Sequence, residues 1–190
     1  MKKVLLIVCV LTVFSVGAYA LDGVDVLTGQ LRAKLKDQSG DTIVARYDAI
    51  PLYVGFRFDA KPFLEKFNIE SAGRWDFVIE PFISAVFKPS ANVEIGSNFL
   101  LEYAFPLTEK LHPYLKGGLG MLWMSHHTRE QGTQYNFLPQ MAAGIHYFIN
   151  DTAAITCEYR FRHLSNNSFK EPNRGIDSDI VVGGISFFFE

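Results

Sequence analysis

From Val26 onward the chain alternates apolar and polar positions with a period of two, the spacing of strands that show different faces to two environments. Leu27, Gly29, Leu31, Ala33 and Leu35 share one parity, and Thr28, Gln30, Arg32, Lys34 and Lys36 share the other. Leu52, Val54, Phe56 and Phe58 oppose Tyr53, Gly55, Arg57 and Asp59. Trp75, Phe77, Ile79, Pro81 and Ile83 oppose Arg74, Asp76, Val78, Glu80 and Ser84, and Val93, Ile95, Phe99, Leu101 and Tyr103 oppose Glu94, Gly96, Asn98 and Glu102. Pro113–Met124, Asn136–Phe148, Thr152–His163 and Asp179–Phe189 complete a set of eight predicted strands. The pattern contains no helix beyond a short amphipathic turn around Phe63, Leu64 and Phe67.

Eight antiparallel strands suit a small closed barrel, and ~10 residues per strand is enough to cross a bilayer at a tilt. Two barrels compete. A soluble ligand carrier turns its apolar face inward, whereas an outer-membrane barrel turns it outward and fills its interior with polar side chains. Parity does not say which face is inside, but three features favour the membrane version. Trp75, Tyr103, Phe105, Tyr147, Tyr159 and Phe161 enrich the apolar parity in aromatics towards strand ends, as interfacial girdles do. Arg32, Arg57, Glu80, Glu94, Glu102, Lys116, Glu158, Arg160 and Arg162 give the other parity both signs of charge, suited to pairing in a narrow interior. The chain also finishes Phe187-Phe188-Phe189, an aromatic ending common in such barrels, followed here by Glu190. The expected fold is all-β, an eight-stranded antiparallel transmembrane barrel of the outer-membrane type.

The first residues point to the same compartment. Met1-Lys2-Lys3, the apolar run Val4 to Val16 and the ending Ala18-Tyr19-Ala20 form a secretory signal peptide, so residues 1–20 are read as a leader and 21–190 as the barrel. With the N-terminus in the periplasm, odd strands run outward. The connections 36–47, 87–91, 125–135 and 164–177 then face outside, and 106–110 and 149–151 are short periplasmic turns. The 59–73 connection is long for a periplasmic turn, and 87–91 is short for an outer loop.

Composition narrows the function. At 48% hydrophobic and 20% charged residues the chain is no disordered segment, and a net charge of −2 excludes the basic balance of a nucleic-acid binder. Two cysteines, Cys9 and Cys157, are too few for a disulfide scaffold. The neighbours His126 and His127 point to opposite faces of an extended chain, a poor ligand pair for a metal.

The chemistry lies at the end of the seventh strand. Ile155, Cys157, Tyr159 and Phe161 are on its apolar parity, and continuing the alternation puts His163 and Ser165 together on the lipid-facing side. An imidazole and a hydroxyl facing hydrocarbon are costly unless they pair or react. A His beside a Ser is the minimum unit of an activated nucleophile, and its third member is a carboxylate: Asp177, Asp179 or Glu171.

Arg162-His163-Leu164-Ser165-Asn166 followed by Pro172-Asn173-Arg174-Gly175-Ile176-Asp177 resembles the lipid A 3-O-deacylase family, the PagL-type outer-membrane esterases. The resemblance implies Ser165 as nucleophile and His163 as general base. It places Asp177 where the family typically has Glu, and Asn166 as oxyanion donor, with Asn173 a second candidate. The family usually carries Ala where Asn167 stands. It further implies lipid A of lipopolysaccharide as substrate, membrane lipids as surroundings, an outer-leaflet site, and neither metal nor cofactor. The rival reading is a non-catalytic barrel with a binding or structural role.

Overall fold

The computed structural model describes residues 20–36, 43–69 and 71–189. The predicted leader therefore lies outside the described residues, apart from Ala20. The elements are β1 (Gly23–Lys36), β2 (Ile43–Asp59), a single helical turn α1 (Lys61–Leu64) continued by a 3-10 turn (Glu65–Phe67), β3 (Arg74–Lys88), β4 (Asn92–Ala104), β5 (Leu111–Met124), β6 (Tyr135–Asn150), β7 (Ala153–Leu164) and β8 (Ile176–Phe188). All neighbours pair antiparallel in chain order, and β1 closes on β8 from Gly23↔Phe188 to Ala33↔Ser178. Closure leaves no strand edge unpaired, the condition for a sheet in hydrocarbon.

The long 59–73 connection is accounted for by packing. Leu64 is buried, and the Phe63 ring lies 5.3 Å from Phe67 and 5.7 Å from Phe77, so the turn covers the foot of the barrel wall.

The lumen is a packed interior in two parts. From the end that holds the start of β1 through the middle, and on to Arg162 and Glu94, it holds a network of buried ion pairs. Arg57 binds Asp25 at 2.9 Å, Asp76 at 3.0 Å and Glu102 at 2.7 Å, and Lys116 lies 2.8 Å from Glu158 and 3.3 Å from Glu102. Arg160 bonds Glu80 at 2.6 Å and Glu158 at 2.7 Å. Arg162 binds Glu94 at 3.0 Å, and Glu94 also accepts from the Tyr47 hydroxyl at 2.6 Å. Such charges are tolerated inside because each is paired with an opposite charge. Towards the outer end the lumen becomes apolar, filled by Leu27, Leu31, Leu35, Tyr47, Val86, Met124, Leu138, Leu164 and Ile176.

That apolar plug overturns one expectation. On β2 from Leu52 onward and on β3 to β7 the charged parity faces inward and the apolar parity outward, as predicted, whereas Arg46 and Asp48 at the start of β2 face out. On β1 the sense is reversed: Leu27, Leu31, Ala33 and Leu35 are buried, whereas Thr28, Gln30, Arg32 and Lys34 face out. Arg32, expected among the interior charges, bonds Gln30 on the outer wall at 2.8 Å. The reason is volume. The outer part of the lumen is closed by apolar packing, and β1 supplies much of it.

Candidate active site

β7 ends in the sequence Phe161-Arg162-His163-Leu164, with Arg162 and Leu164 buried in the lumen and Phe161 and His163 on the outer wall. The Arg162–Glu94 and Arg160–Glu80 pairs anchor β7 from inside, so the imidazole is carried on a rigid strand. β8 begins earlier than the alternation suggested, at Ile176, which turns Asp177 from a loop residue into a strand residue in direct register with His163. Directly facing residues hold their Cβ atoms about 5 Å apart. The pair closes: His163 Nδ1 lies 2.6 Å from Asp177 Oδ1, with the two side chains 40% and 66% exposed.

Gly175 holds the ring from the other side. Its φ of +72° is the left-handed conformation that Gly adopts without a Cβ penalty, and a Cβ there would sit 2.5 Å from His163 Cε1. The sequence motif contains this Gly, but nothing in one sequence connects it to the imidazole.

Beyond Leu164 the chain stays extended for one more step. Ser165 forms a bridge with Phe137, Ser165 N–H donating to Phe137 O at 3.1 Å and Phe137 N–H to Ser165 O at 2.7 Å. Flanked by buried Leu164 and Asn166, the half-exposed Ser165 continues the outward parity of His163. Among the described residues its hydroxyl has no hydrogen bond. The His–Asp arm is therefore closed and the Ser–His arm open. Catalytic hydrogen bonds are commonly long in a free enzyme and tighten around substrate.

Asn166 and Asn173 differ in availability. Asn166 is buried, and its side-chain amide donates to Lys170 O at 2.7 Å and Pro172 O at 3.4 Å. Its backbone N–H donates to Asn173 Oδ1 at 2.9 Å. Asn173 Nδ2 makes one long bond to Ser168 Oγ at 3.4 Å and is otherwise uncommitted. Asn167 and Ser168 take left-handed φ values of 53° and 59°, a region Asn tolerates better than Ala, which accounts for Asn167 in this turn.

The 125–134 connection braces this loop. Gly132 N–H donates to Pro172 O at 2.7 Å, Arg174 N–H to Glu130 O at 3.0 Å, and Gln131 bridges Asn173. Gln131 and Glu130 are buried here, a role no local motif announced. His146 is in the lumen, 3.0 Å from Glu102 and 2.8 Å from Thr156.

The site so described is a shallow constellation on the membrane-facing wall. A cavity of about 540 Å³ opens at the opposite end of the barrel between Asp22, Arg74, His112 and Phe188, and none of His163, Ser165, Asn166, Asn173 and Asp177 lines it.

The model of one protein family, lipid A 3-O-deacylase (PagL), matches residues 51–186, which take in β3 to β7 whole, parts of β2 and β8, and the whole His163–Asp177 segment. The chain belongs to the lipid A 3-O-deacylase family. Among solved structures, the outer membrane enzyme PagL aligns with a TM-score of 0.57 at 17% identity, over 85% of this chain and 97% of the other. Neisserial surface protein A aligns with a TM-score of 0.60 at 14% identity, over 87% and 97%. At these identities the structural likeness establishes the fold, that of an outer-membrane barrel. No curated protein matches the chain by sequence. Family membership and barrel architecture together place this PagL-family chain in the bacterial outer membrane.

Proposed function

We propose that this chain hydrolyses the ester linking the 3-O-acyl chain of lipid A, with Ser165 as nucleophile, His163 as general base and Asp177 orienting the imidazole. The observation that carries this reading is the 2.6 Å His163–Asp177 contact on the outward wall, two residues from an outward-facing serine. Asp177 on Nδ1 leaves Nε2 to take the Ser165 proton as Oγ attacks the ester carbonyl. Collapse of the tetrahedral intermediate breaks the bond to the sugar oxygen, which recovers the proton from Nε2. Water, deprotonated in turn by His163, then cleaves the acyl-serine and releases a hydroxy fatty acid. Asn173 Nδ2 is the freer oxyanion donor, because Asn166 spends its amide hydrogens on the loop. A preorganised donor of this kind is worth ~10²–10³ in rate.

Membrane topology supports the same reading. β7 runs outward from a periplasmic N-terminus, so its end meets the outer leaflet, and acyl chains can lie against the wall beside Ser165. The test is mass spectrometry of lipid A from cells expressing the protein or Ser165→Ala. Loss of one hydroxyacyl chain with the wild-type protein, and none with a folded variant, is expected. Identical lipid A from both would return the chain to a binding or structural role.

A further inference from the structure

The reversed sense of β1 leaves cations where a membrane barrel ordinarily shows hydrocarbon. Lys34 on β1 and Arg46 on β2 are in direct register and both exposed on the outward face. Like charges facing each other across a strand pair are destabilising, and neither residue is needed to fill the interior. Arg32 lies one outward position below Lys34 on the same face. Lys34 and Asp177 each stand one step beyond the paired Ala33↔Ser178, so the cations begin one strand away from the candidate active site, about 4.8 Å across the sheet.

The acidic groups on this wall are already engaged. Asp48 is shared by Arg46 at 3.3 Å and Lys88 at 3.4 Å. Asp177 is held by His163, and Asp179, which faces Arg32 across β1 and β8, accepts from the Tyr159 hydroxyl. Among the described residues Lys34 has no ion-pair partner. Asp48 thus stands beside two of the cations, paired with Arg46 and facing Arg32 in register, and Lys34 is the one of the three that has no carboxylate within ion-pair distance among the described residues.

We infer that Lys34 and Arg46, with Arg32 below them, form a subsite for a phosphate on the glucosamine headgroup of the lipid substrate, positioning its ester over Ser165. This inference rests on the deacylase reading for its substrate. Arginine and lysine suit a phosphate through charge-assisted hydrogen bonds, and an anion there turns the repulsion between Lys34 and Arg46 into shared attraction. The occupant is a membrane lipid because the cations lie on the outer wall at the outer ends of β1 and β2, where headgroups sit. The subsite positions substrate and takes no part in bond breaking.

Two measurements test it. In Ser165→Ala protein held in detergent micelles, binding of bis-phosphorylated lipid A is compared with binding of the same lipid stripped of both phosphates. Adding Lys34→Gln and Arg46→Gln is expected to weaken the phosphorylated lipid about tenfold and leave the dephosphorylated one unchanged. In the protein that retains Ser165, the same pair is expected to raise KM about tenfold with kcat within about twofold, and Lys34→Arg is expected to preserve KM. Equal losses for both lipids, or none for either, would overturn the subsite. Wild-type protein that binds with this phosphate dependence but hydrolyses nothing would overturn the deacylase reading instead. A cold-gel mobility shift of the folded barrel confirms that each variant is assembled.

Discussion

Near the outer ends of β3, β4 and β5 the wall shows the membrane Ile83, Phe87, Val93, Ile95, Met121 and Trp123. At the corresponding ends of β7, β8 and β1 it shows His163, Asp177, Asp179, Arg32 and Lys34. The two walls share pairing, strand lengths and an apolar lumen plug behind them, so backbone architecture does not account for the contrast. The first wall obeys the solvent rule for lipid. The second departs from it on four adjacent strands, β7, β8, β1 and β2, and includes the His163–Asp177 pair. A local breach of this rule agrees with the proposed site for a substrate that itself lies in the membrane.

The sharpest way to break the comparison is at its centre. Asp177→Asn is expected to lower lipid A deacylation by about 10³-fold while leaving the barrel assembled, because an amide neither fixes the tautomer nor stabilises the imidazolium. Retained activity in a lipid A assay would move the acid to Asp179 or Glu171. The lumen supplies the opposite outcome. Arg57→Ala leaves Asp25, Asp76 and Glu102 buried without their cation and is expected to cost about 3–5 kcal/mol in denaturant refolding, with activity per folded molecule unchanged.

One charge introduced on each wall sharpens the contrast further. Met121→Lys puts a cation among apolar neighbours and is expected to cost roughly 2 kcal/mol, whereas Gln30→Lys on the polar wall should cost close to nothing in the same refolding measurement. Gly175→Ala has a smaller effect on stability than Met121→Lys. Its left-handed backbone sets a penalty of about 1 kcal/mol, yet the methyl group would crowd His163 Cε1, and activity is expected to fall about tenfold.

The eight strands, the girdle aromatics and the interior charges of β2 to β7 were legible in the period-two pattern, because an isolated strand already separates its two faces. The lipid-facing parity of His163 followed from the same alternation. The relation of Gly175 to the imidazole, the loop brace through Gln131 and Gly132, and the commitment of Asn166 to backbone carbonyls were not legible, since each depends on contacts between connections that no local rule brings together. Asp177 lies between these cases. Its residue type and position in the motif nominated it, but only the His163↔Asp177 register singles it out from Glu171 and Asp179.

By itself, then, the order of residues determined that the chain forms short two-faced strands, and it marked the segment where polar chemistry sits at a strand end. Which face of each strand meets lipid was a tertiary decision. β1 shows why: its leucines satisfy the hydrophobic effect as well in a closed lumen as against acyl chains, so alternation alone has two solutions. Only ring closure, which gives every strand two neighbours and the interior a limited volume, selects between them.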